Sequence, residues 1–142
     1  MLRSASIFLA AILLPSLDNH PLLDKRSVQI KVWPMNILNI HDATEWFEVL
    51  HTTAQSQSAV MTLKPGHRSS ERTNVHKKSD QIVLVVEGEI EAEIAGEKRL
   101  LHSGDTCIVP AGTPHRFENA GKGRAVTFNV YTPPEYAYDE KG

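Results

Sequence analysis

The chain has 142 residues, 41% of them hydrophobic and 23% charged, and a net charge of −2 at pH 7. Those values suit one soluble domain with a single buried core, and the lack of a positive balance removes the electrostatic case for a nucleic-acid partner. The one cysteine, Cys107, excludes an internal disulfide and a thiolate-rich zinc site.

The N-terminus reads MLRSASIFLAAILLPSL. An early Arg3 and the apolar run from Ile7 to Leu14 are like a secretory signal peptide, and the run is too short to cross a bilayer. The segment after Pro15, SLDNHPLLDKRS, is a poor cleavage site. The other reading places the start of the fold near Met35, with the preceding residues an upstream-start artefact or a disordered extension. The expected organisation is an N-terminal extension over 1–34, one domain over 35–132 and a C-terminal tail over 133–142. A fold starting near Met35 implies a cytoplasmic protein; a true signal peptide implies a secreted or periplasmic one. No membrane association is expected.

From residue 36 the pattern is mostly β. HDATEW could open a helical turn with Asp42 at the N-cap and Glu45 three residues on. WFEVLHTT and SAVMTLK flank the polar AQSQ and predict a hairpin. PGHRSSERTNVHKKSD is turn-rich and reads as a loop that ends at a strand edge. IVLVV is a continuous apolar run, the pattern of a strand buried on both faces. EIEAEI alternates strictly, placing Ile90, Ala92 and Ile94 on one face and Glu89, Glu91 and Glu93 on a solvated one. Turns at Glu87-Gly88 and Ala95-Gly96 lead into EKRLLHS. TCIV, PHRFEN and AVTFNVY supply the last strands. Short strands with turn signals at such intervals predict a sandwich or barrel. TPPEYAYDEKG closes the chain and reads as a mobile or dimer-lining tail, since two prolines end the last strand.

One stretch is denser in signals than the rest: GDTCIVPAGTPHRFEN, residues 104–119. Gly104 and Asp105 suit a tight turn, and Pro110 ends the pairing of TCIV. Gly112 permits a reversal of the backbone. His115 then begins a strand, on the same face as Phe117, and Asn119 ends it with a side chain able to bond nearby backbone.

This spacing resembles the second motif of the cupin family, in which glycine, proline, glycine, histidine and asparagine stand where Gly104, Pro110, Gly112, His115 and Asn119 stand here. The first cupin motif runs H-x-H, three or four residues, E, six residues, G. NVHKKSDQIVLVVEG occupies that frame, with Asn74 in the first histidine slot, His76 in the second, Gln81 in the glutamate slot and Gly88 in the glycine slot. The resemblance covers about residues 58–131. It implies an all-β fold, a double-stranded β-helix or jelly-roll barrel of the RmlC-like kind, with a pocket at one mouth and a homodimer as the usual assembly. It also implies a divalent metal cofactor (Fe, Mn, Ni, Cu or Zn) whose ligands, carried over by position, are Asn74, His76, Gln81 and His115. Two of those four are neutral amides, which bind through carbonyl oxygen and add no negative charge. The competing reading has His76 and His115 as polar pocket residues without metal.

The resemblance admits three functions. One is a metal-dependent dioxygenase, isomerase or lyase acting on a small polar organic ligand. Another is a binding or sensing barrel without chemistry. The third is a metal-free site with a histidine base and a tyrosine acid, for which Tyr131, Tyr136 and Tyr138 are the candidates. Asp80 alternates away from Gln81 and reads as a turn or surface carboxylate. His67 and His102 read as surface residues, and Cys107 as a buried structural thiol.

Overall fold

Alternation of apolar and polar residues is what pairs this chain into sheets. A computed structural model describes residues 34–137. The chain divides into two compact units, Met1–Met35 and Asn36–Gly142. The first lies almost wholly outside the described residues, as do the apolar run at Ile7–Leu14 and Tyr138. In the second, a 3-10 turn, Ile40–Asp42, precedes eight strands: β1 (Phe47–Thr52), β2 (Gln57–Leu63), β3 (Asp80–Glu87), β4 (Glu89–Ile94), β5 (Glu97–His102), β6 (Thr106–Val109), β7 (His115–Glu118) and β8 (Ala125–Thr132). The cap of the 3-10 turn is Asn39 rather than Asp42: its side-chain oxygen accepts from the His41 N–H at 3.0 Å. No helix among the described residues is long and apolar enough to cross a membrane.

All pairings are antiparallel. One sheet runs β1-β2-β8-β3-β6 and the other β5-β4-β7, which together make the jelly roll that the motif resemblance implies. Residues from both line the core, including Met61, Val83, Val85, Ile90, Val109 and Phe117. Cys107 packs against this core from β6, and burial pushes its thiol pKa up. The glutamate row of β4 is less free than alternation alone suggests. Glu91 accepts from Lys98 at 3.0 Å and Glu93 from Arg116 at 2.8 Å, both on flanking strands.

The apolar run IVLVV differs from expectation. Val83 and Val85 are fully buried, whereas Ile82 between them and Gln81 is 47% exposed. The reason is architectural: an antiparallel sheet in a two-layer fold covers only its inner face, and Ile82 pairs with the equally outward Ile108.

Register grades the inner face from apolar to polar. Along β8, Ala125, Thr127, Asn129 and Tyr131 are all buried. Tyr131 stands opposite both Gln57 of β2 and Gln81 of β3. The next inward row is Ala59, Asn129 and Val83. One end of the barrel is therefore closed by hydrocarbon, and the other is lined by buried amides, phenol and imidazole.

Gly88, between β3 and β4, has φ +75°, and a Cβ there would stand 2.5 Å from the Arg124 carbonyl oxygen. Gly66 has φ +77° but open space around it. Gly88→Ala should therefore lose more than Gly66→Ala in urea unfolding, about 2–4 kcal/mol against about 1 kcal/mol. Equal losses would contradict the close approach to β8.

Candidate functional site

The site begins with a bridge between a loop and a strand. The long connection between β2 and β3 folds back so that the Asn74 N–H donates to the His115 carbonyl at 2.7 Å. The His115 N–H donates to the Asn74 carbonyl at 2.9 Å. Two residues on, the His76 carbonyl accepts from the Gly112 N–H at 2.7 Å. Asp80 completes the join, its carboxylate accepting from the Ala111 N–H at 2.8 Å. Asp80 is thus a structural carboxylate, tying the start of β3 to the turn before β7.

These ties bring His76 and His115 together. Both are buried, and their ring centroids lie 4.8 Å apart. A cavity of about 140 Å³ is lined by both rings together with Asn74, Gln81, Phe117, Tyr131 and Tyr136 among others. A wider surface groove of about 510 Å³, bordered by His41, His67, Lys64 and Arg124, lies away from both motifs and includes neither imidazole.

His115 Nδ1 is 2.9 Å from the Thr113 carbonyl. A carbonyl only accepts, so Nδ1 carries the proton and Nε2 the lone pair. Burial is the main cause that lowers the His115 pKa; the charge of His76 adds to it, against the opposing pull of the Thr113 bond and Glu135. His76 Nδ1 faces Glu135 Oε1 at 3.2 Å, and the other oxygen of Glu135 accepts from Ser79 Oγ at 2.7 Å.

Gln81 is held by a chain of amides. Its Nε2 donates to Asn129 Oδ1 at 3.1 Å, and Asn129 Nδ2 donates to Thr127 Oγ1 at 3.0 Å. The Gln81 Oε1 atom is buried without any hydrogen-bond partner. An orphaned buried acceptor costs about 1–3 kcal/mol, so its persistence beside a cavity points to a ligand. Asn74 is placed differently. It lines the cavity, but it is exposed and its side-chain oxygen accepts from the Val75 N–H at 2.9 Å.

Two tyrosines join these groups. The Tyr131 ring is 5.3 Å and the Tyr136 ring 6.1 Å from that of His76, each edge-on. Burial drives the Tyr131 hydroxyl far above the usual phenol range, reinforced by Tyr136, and burial also raises Tyr136. Both stay protonated as hydrogen-bond donors. The first residues of the tail are attached to the barrel rather than free. Gln57 grips Tyr136 by both backbone groups, donating from Nε2 to its carbonyl and accepting on Oε1 from its N–H, each at 2.9 Å.

Glu135, Ser79 and Gln57 are the site residues that motif spacing misses. Gln57 alone left a signal, a polar side chain in phase with inward-facing Ala59 and Met61. Nothing local marks Glu135.

Among the described residues no three His, Cys, Asp or Glu side chains group as a metal site. The available donors are instead two imidazoles and one amide oxygen. With His115 Nδ1 bonded to the Thr113 carbonyl, its Nε2 is left as an acceptor, and the Gln81 side chain, whose Oε1 has no protein partner, lines the same cavity as both rings. That neutral nitrogen–oxygen set fits a first-row divalent ion, for which imidazole is a general ligand.

The sequence model described as the cupin domain matches residues 59–131. Quercetin 2,3-dioxygenase of Bacillus subtilis is 38% identical over 72 residues, 50% of this chain but 21% of that protein. The chain thus spans about a fifth of that relative. The structure of KdgF from a Halomonas species superposes with a TM-score of 0.57 at 25% identity, covering 62% of this chain and 77% of that one. A Bacillus halodurans structure gives 0.68 at 19% identity, covering 77% and 88%, a likeness of fold alone.

Proton titration of the His115 ring by NMR should give a midpoint below the ordinary imidazole value of 6.5, because burial disfavours its charged form. A midpoint at or above 6.5 would contradict the buried placement of the ring.

Proposed function

The chain belongs to the cupin family, and we propose that it holds a divalent first-row metal ion through His76, His115 and Gln81 and binds a small polar organic molecule beside it. The observation that carries this reading is the buried, unpartnered Gln81 Oε1 in a cavity shared with two imidazoles. Asn74, which is exposed and already accepts from the Val75 N–H, belongs to the rim.

Cavity size and charge narrow the ligand. About 140 Å³ is less than half of the ~300 Å³ at which sites for drug-sized molecules begin. No lysine or arginine is among the residues lining it. An anionic ligand would therefore depend on the metal for its counter-charge, while a hydroxyl or amide donor could pair with Gln81. Bound here, the ion would supply Lewis acidity or oxygen activation, which suits a dioxygenase, an isomerase or a lyase. The protein's own groups have separable tasks. The two imidazoles hold, the tyrosine hydroxyls donate hydrogen bonds, and Phe47, Phe117 and Trp46 exclude water.

The placement of the tyrosines favours a second reading. Tyr131 and Tyr136 pack on the ring of a histidine backed by a carboxylate, the arrangement a metal-free base and acid would need.

Elemental analysis of protein purified without chelator separates the two. The metal reading expects close to one equivalent of iron, manganese, nickel, copper or zinc. His76→Ala and His115→Ala should lower metal affinity by about tenfold or more, the scale on which even outer partners of metal ligands act. Gln81→Ala should lower it less, since imidazole is the stronger donor. Metal-free wild-type protein that still binds small polar molecules would overturn the reading in favour of the second or of a non-catalytic binding barrel.

A further inference from the structure

We infer that Glu135 and Tyr136 form a strap built into the site, in which Gln57 is the post and Glu135 the positioning residue that sets the tautomer and direction of His76. Gln57 is 1% exposed, and it spends both ends of its side-chain amide on the backbone of Tyr136, 79 residues away. That is the hydrogen-bond pattern one strand offers the next, supplied here by a side chain. Ser79, also 1% exposed, fixes Glu135 Oε2 at 2.7 Å. The Tyr136 ring rests on Phe47 with centroids 4.9 Å apart. Three anchors from separate parts of the barrel thus leave Glu135 Oε1 directed at His76 Nδ1.

Glu135 Oε1 lies 3.2 Å from His76 Nδ1, close enough to pair with a proton there. A carboxylate only accepts, so the His76 proton sits on Nδ1 and the lone pair on Nε2. His115 reaches the same state by a different device, the Thr113 carbonyl. The strap makes the two rings alike. Gln57 and Glu135 both fall outside the segment matched by the family, residues 59–131. The orientation of an imidazole inside the first motif is therefore governed from beyond either end of the matched region. The tautomer belongs to the metal-free protein; only its consequence for metal binding rests on the proposed function.

Long-range proton–nitrogen NMR correlations on metal-stripped protein, above the titration range of the imidazoles, test this. His76 in the wild type should carry its proton on Nδ1. Glu135→Ala and Gln57→Leu should shift His76 toward the Nε2–H form while leaving His115 unchanged. Glu135→Gln, which keeps an acceptor oxygen, should restore the wild-type pattern. Cobalt(II) titration should then show a 10–100-fold weaker affinity in Glu135→Ala, as for other outer partners of metal-bound histidines. A wild-type His76 protonated on Nε2 would overturn the inference, as would a His76 tautomer indifferent to Glu135→Ala or an equal shift at His115. If the tautomers behave as stated and cobalt(II) does not bind the wild type, the strap stands and the metal reading falls.

Discussion

Two backbone hydrogen bonds, exchanged between Asn74 and His115, are the constraint on which the site depends. Without them His76 would lie on an irregular connection between β2 and β3, with no reason to face any particular residue. With them the connection gains strand register over a few residues, and register is what aims side chains. Gly112 and Ala111 extend the join to His76 and Asp80. The turn before β7 therefore does more than reverse the chain. Its exposed N–H groups fasten the first motif to the second.

The barrel tolerates a polar end because nearly every buried polar atom there is satisfied, the general rule for folded proteins. At the opposite end Asn119 likewise spends its amide on the Leu63 and Gly123 carbonyls and the Gly121 N–H. Gln57 is spent on the tail, and Asn129 on Gln81 and Thr127. Against that background one unsatisfied atom has meaning. A buried acceptor with no protein partner is destabilising unless something in the cavity beside it supplies a donor or a cation.

The sequence made some of this visible. The second motif marked the strand start at His115 and the turns at Gly104 and Gly112, because each serves a local backbone need that is legible within sixteen residues. The frame of the first motif singled out His76 and Gln81, whose side chains line the cavity. Alternation identified β4 without ambiguity. It failed for IVLVV, where hydrophobicity alone cannot tell an inner face from an exposed outer one, as Ile82 shows. Asn74 illustrates a different limit: position in a motif does not reveal that its side chain is exposed and accepts from the Val75 N–H. The tail was the largest omission. TPPEYA has the composition of a free end, and the attachment of its Tyr136 and Glu135 depends on Gln57 and Ser79, 79 and 56 residues distant in the chain. Contacts of that range leave no periodicity to read.

The cavity brings rings and amides together: Phe117, Tyr131 and Tyr136 line it beside both imidazoles, Asn74 and Gln81, whose Oε1 has no protein partner. The most direct test is anomalous diffraction from crystals grown with the metal the protein retains, recorded at the absorption edge of that metal. The account requires one peak inside the barrel, within about 2.0–2.3 Å of both imidazole Nε2 atoms and of Gln81 Oε1. A peak bonded elsewhere, or ordered crystals with density in the barrel but no anomalous signal, would contradict it.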